Sequence, residues 1–203
     1  GQLLSIPIDA AGTFGAVEWN AGDVSLKSNT INPADRVIIT KGNSGGVPFE
    51  YANLTVVQKG LLDKDVAGTV DHCGLERVAY LRGSAVHEGS GTFSCTSTSV
   101  INKFRGRPTS KLGDIVNSGP YYAGRPNAGY SDEDQAGYSA FRTLYKDRTP
   151  VVYVGVNDGM LHGFNACVVG ITPGCTVADK GKELVAYIPG LVYANLNRLG
   201  DEN

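Results

Sequence analysis

The sequence predicts a mainly β fold built from short antiparallel strands, and three features of its 203 residues carry that expectation. Glycine is very frequent at 27 residues and proline adds 9, with no G-X-Y period, so turns are many and strands short. Short apolar runs alternate with turn residues: LLSIPI before DAAG, RVIIT before KGNSGG, and LTVVQ after a polar stretch. The clearest unit is PVVYVGVNDGMLHGFNA, two such runs around a compact turn.

In that unit Val152, Val154 and Val156 alternate with Val151, Tyr153 and Gly155, a run apolar on both faces that suits a strand between layers. Asn157, Asp158 and Gly159 tolerate positive φ and predict a hairpin turn, with MLHGFNA as the return strand. ELVAYIP supplies a third run. Three antiparallel strands in about 40 residues approach one propeller blade, which normally has four.

One or two short helices are expected as insertions. In YSDEDQAGYSAFRTLYKDR, Ser131 is placed as an N-cap with Asp134 three residues on, Asp132 and Glu133 sit in the first turn, and Tyr138, Phe141, Leu144 and Tyr145 share one face. Val192, Leu196 and Leu199 have helical spacing in GLVYANLNRLG. The strands are too few and too glycine-punctuated for a βαβ series. LLSIPIDAAG and MLHGFNACVVG resemble each other loosely, without a strict internal repeat.

An apolar fraction of 41% is enough for a sizeable core. Only 19% of residues are charged and the net charge is -2, which argues against nucleic acid as the main partner. The basic cluster Lys103, Arg105, Arg107 and Lys111 reads as a solvated loop. No apolar run approaches the ~20 residues that span a bilayer, so no membrane span is expected. The opening GQLLSIPID reads as a strand and not as a leader, which predicts a chain that has lost its natural N-terminus.

The four cysteines are Cys73, Cys95, Cys167 and Cys175; an even number without C-x-x-C favours disulfides over zinc. Cys167 and Cys175 bracket CVVGITPGC, where Pro173 and Gly174 can turn the chain back. Pairing by neighbours, Cys73 with Cys95 and Cys167 with Cys175, is the simplest of three connectivities. Two disulfides imply an oxidising compartment: periplasm, cell surface or outside the cell.

Catalytic motifs are sparse. GNSGG, from Gly42 to Gly46, has the form G-x-S-x-G, but a Ser nucleophile needs a His base and an orienting acid. No His precedes His72, and VPFEYANLT after the motif has no helical period, so a glycine-rich hairpin loop is expected. His72, His87 and His162 share no metal-ligand spacing, and His162 reads as hydrogen-bonded within a blade. YSDEDQ lacks the Gly and terminal Glu of a calcium loop. No catalytic, cofactor-binding or metal residues are therefore assigned.

Four phrases in order, YLRG (80–83), KLGDIVNSGPYYAGRP (111–126), PVVYVGVNDGMLHGFNA (150–166) and GKELVAYIPGLVYANLNRL (181–199), resemble the C-terminal domain of PilY-type (PilC/PilY) type IV pilus proteins. The resemblance covers most of the chain and is strongest from Tyr80 to Leu199. It implies a large modified β-propeller at the pilus tip that supports pilus assembly and attaches to cells or surfaces. Partners implied are minor pilins or other pilus-tip proteins and a host or abiotic surface, outside the cell after export through the periplasm. Some members bind calcium through an Asp-rich loop; this chain stops upstream of where that loop would lie and has RGS and RGR but no RGD, so neither activity is carried to residues here. The Cys167 to Cys175 loop looks like an insertion in the family hairpin.

The resulting expectation is an incomplete β-propeller across 1–203 with no second domain, a non-enzymatic adhesion and assembly module whose open edge is covered by the remainder of the protein or by another chain. Blades take about 40–50 residues, so at most about four fit. The rival from another class is a quinoprotein-type dehydrogenase fragment, also a propeller; such enzymes anchor blades with repeated Trp, and this chain has only Trp19.

Overall fold

The computed structural model describes residues 1–28, 30–96 and 100–201. Among them the strands run, in chain order, β1 (Leu4–Ser5), β2 (Trp19–Asn20), β3 (Ile38–Lys41), β4 (Gly46–Pro48), β5 (Thr92–Ser94), β6 (Val100–Asn102), β7 (Tyr121–Ala123), β8 (Val151–Gly155), β9 (Leu161–Asn165) and β10 (Glu183–Ile188). The α-helices are α1 (Ala21–Val24), α2 (Val56–Leu62), α3 (Gly74–Leu81), α4 (Tyr138–Leu144) and α5 (Tyr193–Leu196), with short 3-10 turns between.

Strands β7 to β10 form a four-stranded antiparallel meander in chain order, which is the up-and-down pairing of a propeller blade. Tyr121–Ala123 supplies the fourth strand that the sequence pattern missed; three residues are too few for a period-2 signal. The β3–β4 hairpin extends this blade into a six-stranded sheet by laying β3 parallel to β10, Ile38 opposite Ala186 and Thr40 opposite Ile188. Thr40 Oγ1 closes the seam by donating to Ile188 O at 2.9 Å, and Tyr193 OH lies 3.0 Å from the same hydroxyl. The fold is thus the mainly β, open propeller-type arrangement expected, with one parallel seam among otherwise antiparallel pairs and more helices than foreseen.

Two apolar clusters hold the sheet. Trp19, Leu26, Leu112, Val154 and Phe164 form one, with Val152 and Val156 packed against it; period-2 alternation puts the three valines on one face, and Phe164 pairs with Val152. Ile38, Phe49, Leu62, Tyr80, Phe104, Ile188, Tyr193 and Leu196 belong to the other, which seats α2, α3 and α5. Leu196 is buried as its spacing predicts, with Val192 and Leu199 against the cluster.

Two local expectations fail. LTVVQ is the start of helix α2, and no strand forms there: Thr55 Oγ1 accepts from Gln58 N at 3.2 Å while Gln58 Oε1 accepts from Thr55 N at 2.9 Å, a reciprocal cap that outweighs the β preference of two valines. Conversely, Ser131 does not start a helix. Its hydroxyl accepts from Asp134 N at 3.2 Å, but this closes a lone turn, and Gly137 at φ 82° interrupts the chain so that α4 begins at Tyr138. The repeat overlooked in the sequence is D-x-A-G-T, at Asp9–Thr13 and Asp65–Thr69. Both copies share one turn, with the Asp Oδ1 accepting from the Thr N–H at 2.8 Å.

Candidate functional site

The four phrases that carry the family resemblance meet at one place, and the chemistry of that meeting is ionic. At the β8–β9 turn, Val156 N donates to Met160 O at 2.9 Å and Gly159 adopts φ 85°, so Asn157, Asp158 and Gly159 form the bend. A Cβ on Gly159 would stand 2.7 Å from Leu196 Cδ2, so both conformation and space call for glycine. The LGD segment pins the turn from the side. Gly113 N donates to Asp158 Oδ2 at 3.3 Å, Asn157 N to Asp114 O at 3.0 Å, and Gly155 N to Ser118 Oγ at 2.9 Å.

Asp158 also caps the turn by accepting from Met160 N at 3.2 Å, and faces His162 Nε2 at 3.0 Å. His162 is fully buried; its Nδ1 lies 2.7 Å from Glu183 Oε1 at the head of β10. Glu183 in turn accepts from Arg36 Nε at 2.7 Å and Nη2 at 2.9 Å, a bidentate fork. Arg36 Nη1 donates to Leu81 O at 3.3 Å and to Arg82 O at 2.9 Å, both in YLRG. The result is a line of alternating charge, Arg36–Glu183–His162–Asp158, that joins all four phrases.

Burial works against charge on Glu183, His162 and Asp158, yet the pairing prevails. Burial alone would depress His162, but Asp158 and Glu183 raise it to about 9, so it is an imidazolium at neutral pH. Burial would raise Glu183, but hydrogen bonds from Arg36 and His162 hold it at about 2. Asp158 is likewise lowered against its burial, chiefly by His162. An imidazolium with both nitrogens engaged is not a free base. The network therefore locks strands together, as the reading of His162 within a blade anticipates; its partners Arg36 and Glu183 went unnoticed. The available signal was a Glu heading the apolar run ELVAYIP, where a charge needs a partner.

A second buried knot corrects the solvated-loop reading of the basic cluster. Lys111 is 4% exposed, and its Nζ donates to both Glu88 oxygens at 2.8 Å. Arg107 donates to Glu88 Oε1 from Nε at 2.9 Å, and its guanidinium stands 3.7 Å from the Tyr80 ring centroid. Arg105 remains exposed. A cleft of about 650 Å³ opens beside this knot, walled by Arg105, Lys111, Asp114, Asn157, Asp158 and Arg198 among others.

Cys73 is bonded to Cys95 and Cys167 to Cys175, with Cα separations of 5.2 and 5.9 Å. The first bond ties the start of α3 to the end of β5. The second closes a loop whose base, Cys167, is buried and whose residues Val168, Val169 and Ile171 are exposed. Ser44 is exposed on the β3–β4 turn, where Gly42 N donates to Gly45 O at 2.7 Å. His72 is exposed beside a disulfide-bonded Cys73, and His87 stacks on Phe93 at 4.0 Å. Among the described residues no group of three or more His, Cys, Asp and Glu is placed to hold a metal, and no helix is long and apolar enough to cross a membrane.

Comparison with known proteins places these features. Residues 112–198, which include the β7–β10 blade, match the PilY1 beta-propeller domain family model. The chain is 35% identical over 189 residues to the type IV pilus biogenesis factor PilY1 of Pseudomonas aeruginosa strain PAK, covering 89% of this chain and 14% of that relative. It is 32% identical over 213 residues to the protein of that name from strain UCBPP-PA14, covering 98% and 16%. To a type IV pilus biogenesis factor PilY1 homolog of Xylella fastidiosa it is 35% identical over 160 residues, covering 76% and 11%. The chain thus spans about a seventh of the length of the first of these relatives. No solved structure matches it.

Proposed function

The chain is PilY1-type, its residues 112–198 falling within the PilY1 β-propeller family, and from that premise we propose that it is a non-enzymatic module of a type IV pilus. In this reading it supports pilus assembly and mediates attachment to host cells or abiotic surfaces from the pilus tip. The observation that carries it is the β7–β10 blade, whose turn, flanking LGD segment and Asp158–His162–Glu183 ion contacts lie within the matched residues. Ionic side chains are spent on locking strands, which leaves loops and edges as the working surface. Minor pilins or other pilus-tip proteins are the partners this surface would meet, and the rest of a larger propeller domain would cover its open edge. Two disulfides suit a site outside the cell reached through the periplasm. No cofactor is assigned to these residues. The dehydrogenase alternative draws on propeller architecture alone; the ring of Trp19 is spent on packing over Gly181, whose Cβ would stand 2.7 Å from it.

The test is genetic. Removal of residues 112–198 in the producing bacterium is expected to reduce both surface pili, counted by electron microscopy, and attachment to a solid support. Unchanged piliation together with unchanged attachment would overturn the proposal.

A further inference from the structure

Helix α4 buries none of its residues. Its rings occupy one side: Tyr138, Phe141 and Tyr145 follow one another with centroids 6.2 and 4.9 Å apart, and Tyr130 joins at 5.5 Å. Helical spacing puts Ser139, Arg142, Thr143 and Lys146 on another side. Across from these the loop after β7 contributes Arg125 and Asn127, and the two walls flank an open groove of about 420 Å³. Three cations line it, and no carboxylate does. The neighbouring acids are otherwise placed. Asp132 accepts from Ser139 N at 2.7 Å, and Asp147 lies 3.8 Å from Lys146 with both side chains largely in water. Among the described residues neither Arg125 nor Arg142 has an ion-pair partner; Arg142 has only the Tyr138 ring, at 6.0 Å.

We propose that this cavity is a binding subsite for an acidic polysaccharide, with Arg125 and Arg142 holding a carboxylate or sulfate of the sugar chain and Lys146 adding charge. Arg125 and Arg142, which lack an ion-pair partner among the described residues, leave positive charge in this concavity that an anion would neutralise. A guanidinium presents a planar fork that fits a carboxylate or sulfate in bidentate fashion. The remaining lining selects the carrier. Asn127 and Thr143 offer polar groups to hydroxyls, and Thr143 Oγ1, which donates to Ser139 O at 2.9 Å, still has lone pairs to accept with. Pro126 is the only apolar lining residue, so there is no slot for the aromatic or aliphatic anchor that fixes a peptide. The rings of α4 lie outside the lining and meet one another tilted or edge-on, so the groove itself has no aromatic platform for nucleic-acid bases. A polyhydroxylated anion uses everything the cavity presents. The inference deepens the attachment reading and rests on it only for the role of the contact.

The experiment is calorimetric titration of the protein with polygalacturonate oligomers at low salt and at 0.5 M salt, with neutral dextran, poly-glutamate and inorganic phosphate as comparators. Saturable binding that weakens with salt is expected, and Arg125→Glu and Arg142→Glu should each weaken it at least tenfold. Both side chains are exposed, so melting temperature should not move. Arg198→Glu, in the other cleft, should leave binding unchanged. No binding, equal loss in Arg198→Glu, or insensitivity to both cavity variants would overturn the site. Poly-glutamate or phosphate binding as tightly as the oligomers would overturn the saccharide assignment. Because the titration involves no pilus, its failure in a protein whose 112–198 deletion abolishes attachment would end this inference alone.

Discussion

His162 Nδ1 lies 2.7 Å from Glu183 Oε1, so a fully buried imidazolium joins β9 to the head of β10. With Asp158 on its other nitrogen, His162 links turn, strand and neighbouring strand through one ring.

That link makes stability fall with alkali. The folded-state pKa of His162 is raised from 6.5 to about 9, so its contribution is complete below pH 6.5 and is lost as pH rises through about 9. Denaturant unfolding at pH 6, 8 and 10 should show a decline on the order of a few kcal/mol in all, spread over both intervals because it runs between the unfolded and folded pKa values. His162→Leu should abolish this pH slope and cost about 3–5 kcal/mol at pH 7, because it strands buried carboxylates. An unchanged slope in the variant would assign the titration to another group.

Arg36 and Glu183 should behave as a coupled pair. Arg36→Met leaves Glu183 with His162 alone and should cost about 3–5 kcal/mol, whereas Arg36→Met with Glu183→Leu should cost less than the sum of the single changes. Glu183 is held at about 2 from an ordinary 4.5, so the pair's contribution is present above pH 4.5 and lost as pH falls through about 2. Additive single and double variants in urea unfolding would show that the fork carries no coupling.

The sequence disclosed what local chemistry determines. The 157–159 bend follows from three residues that tolerate positive φ, and the burial of Leu196 from apolar spacing. It did not disclose what depends on distant partners. Lys111 and Arg107 looked like solvated charge because Glu88, 23 and 19 residues away, gives no local sign of facing them. The rings of α4 had the spacing of a buried face, yet none of its residues is buried and the ring face meets only the nearby loop at Ala128 and Tyr130, so spacing alone could not tell core from surface. In LTVVQ the signal was local: Thr55 and Gln58 carry the helix-start pattern, and their reciprocal cap outweighs the β preference of the two valines.

Gly159 should not tolerate a side chain. Gly159→Val places a β-branched residue at φ 85° with its Cβ 2.7 Å from Leu196, and should cost well over about 1 kcal/mol. Gly170, also at positive φ but with open space around it, gives the contrast: Gly170→Val should cost only the backbone term. Equal costs at the two positions in thermal melts would show that the Leu196 contact does not matter.

The two disulfides should differ in worth. Cys73–Cys95 spans 22 residues and Cys167–Cys175 spans 8, so in the chain-entropy model their loss costs about 3–4 and about 2–3 kcal/mol. Non-reducing peptide mapping should recover both pairs, and Cys-to-Ser pairs should rank in that order by Tm. Crossed linkages would refute the connectivity, and free thiols would remove the case for an oxidising compartment.

The last expectation concerns a polypeptide limited to residues 1–203. The ribbon formed around β1 and β2 exposes Leu4, Ile8, Phe14 and Val17, with Ile8 directly bridged to Phe14. A two-stranded ribbon in water is marginal without a third strand or a packed face. At the far edge of the six-stranded sheet, β7 carries Tyr121 and Tyr122, 71% and 62% exposed, beside backbone groups open to pairing. Taken alone, such a segment should associate through these surfaces. Light scattering after size-exclusion chromatography should report species above the 21.4 kDa monomer. Ile8→Lys with Phe14→Lys should reduce association, since both changes replace apolar surface with like charge across the ribbon. A monomer with a sharp melting transition would mean that the open propeller edge needs no cover, and that these residues make a closed β unit on their own.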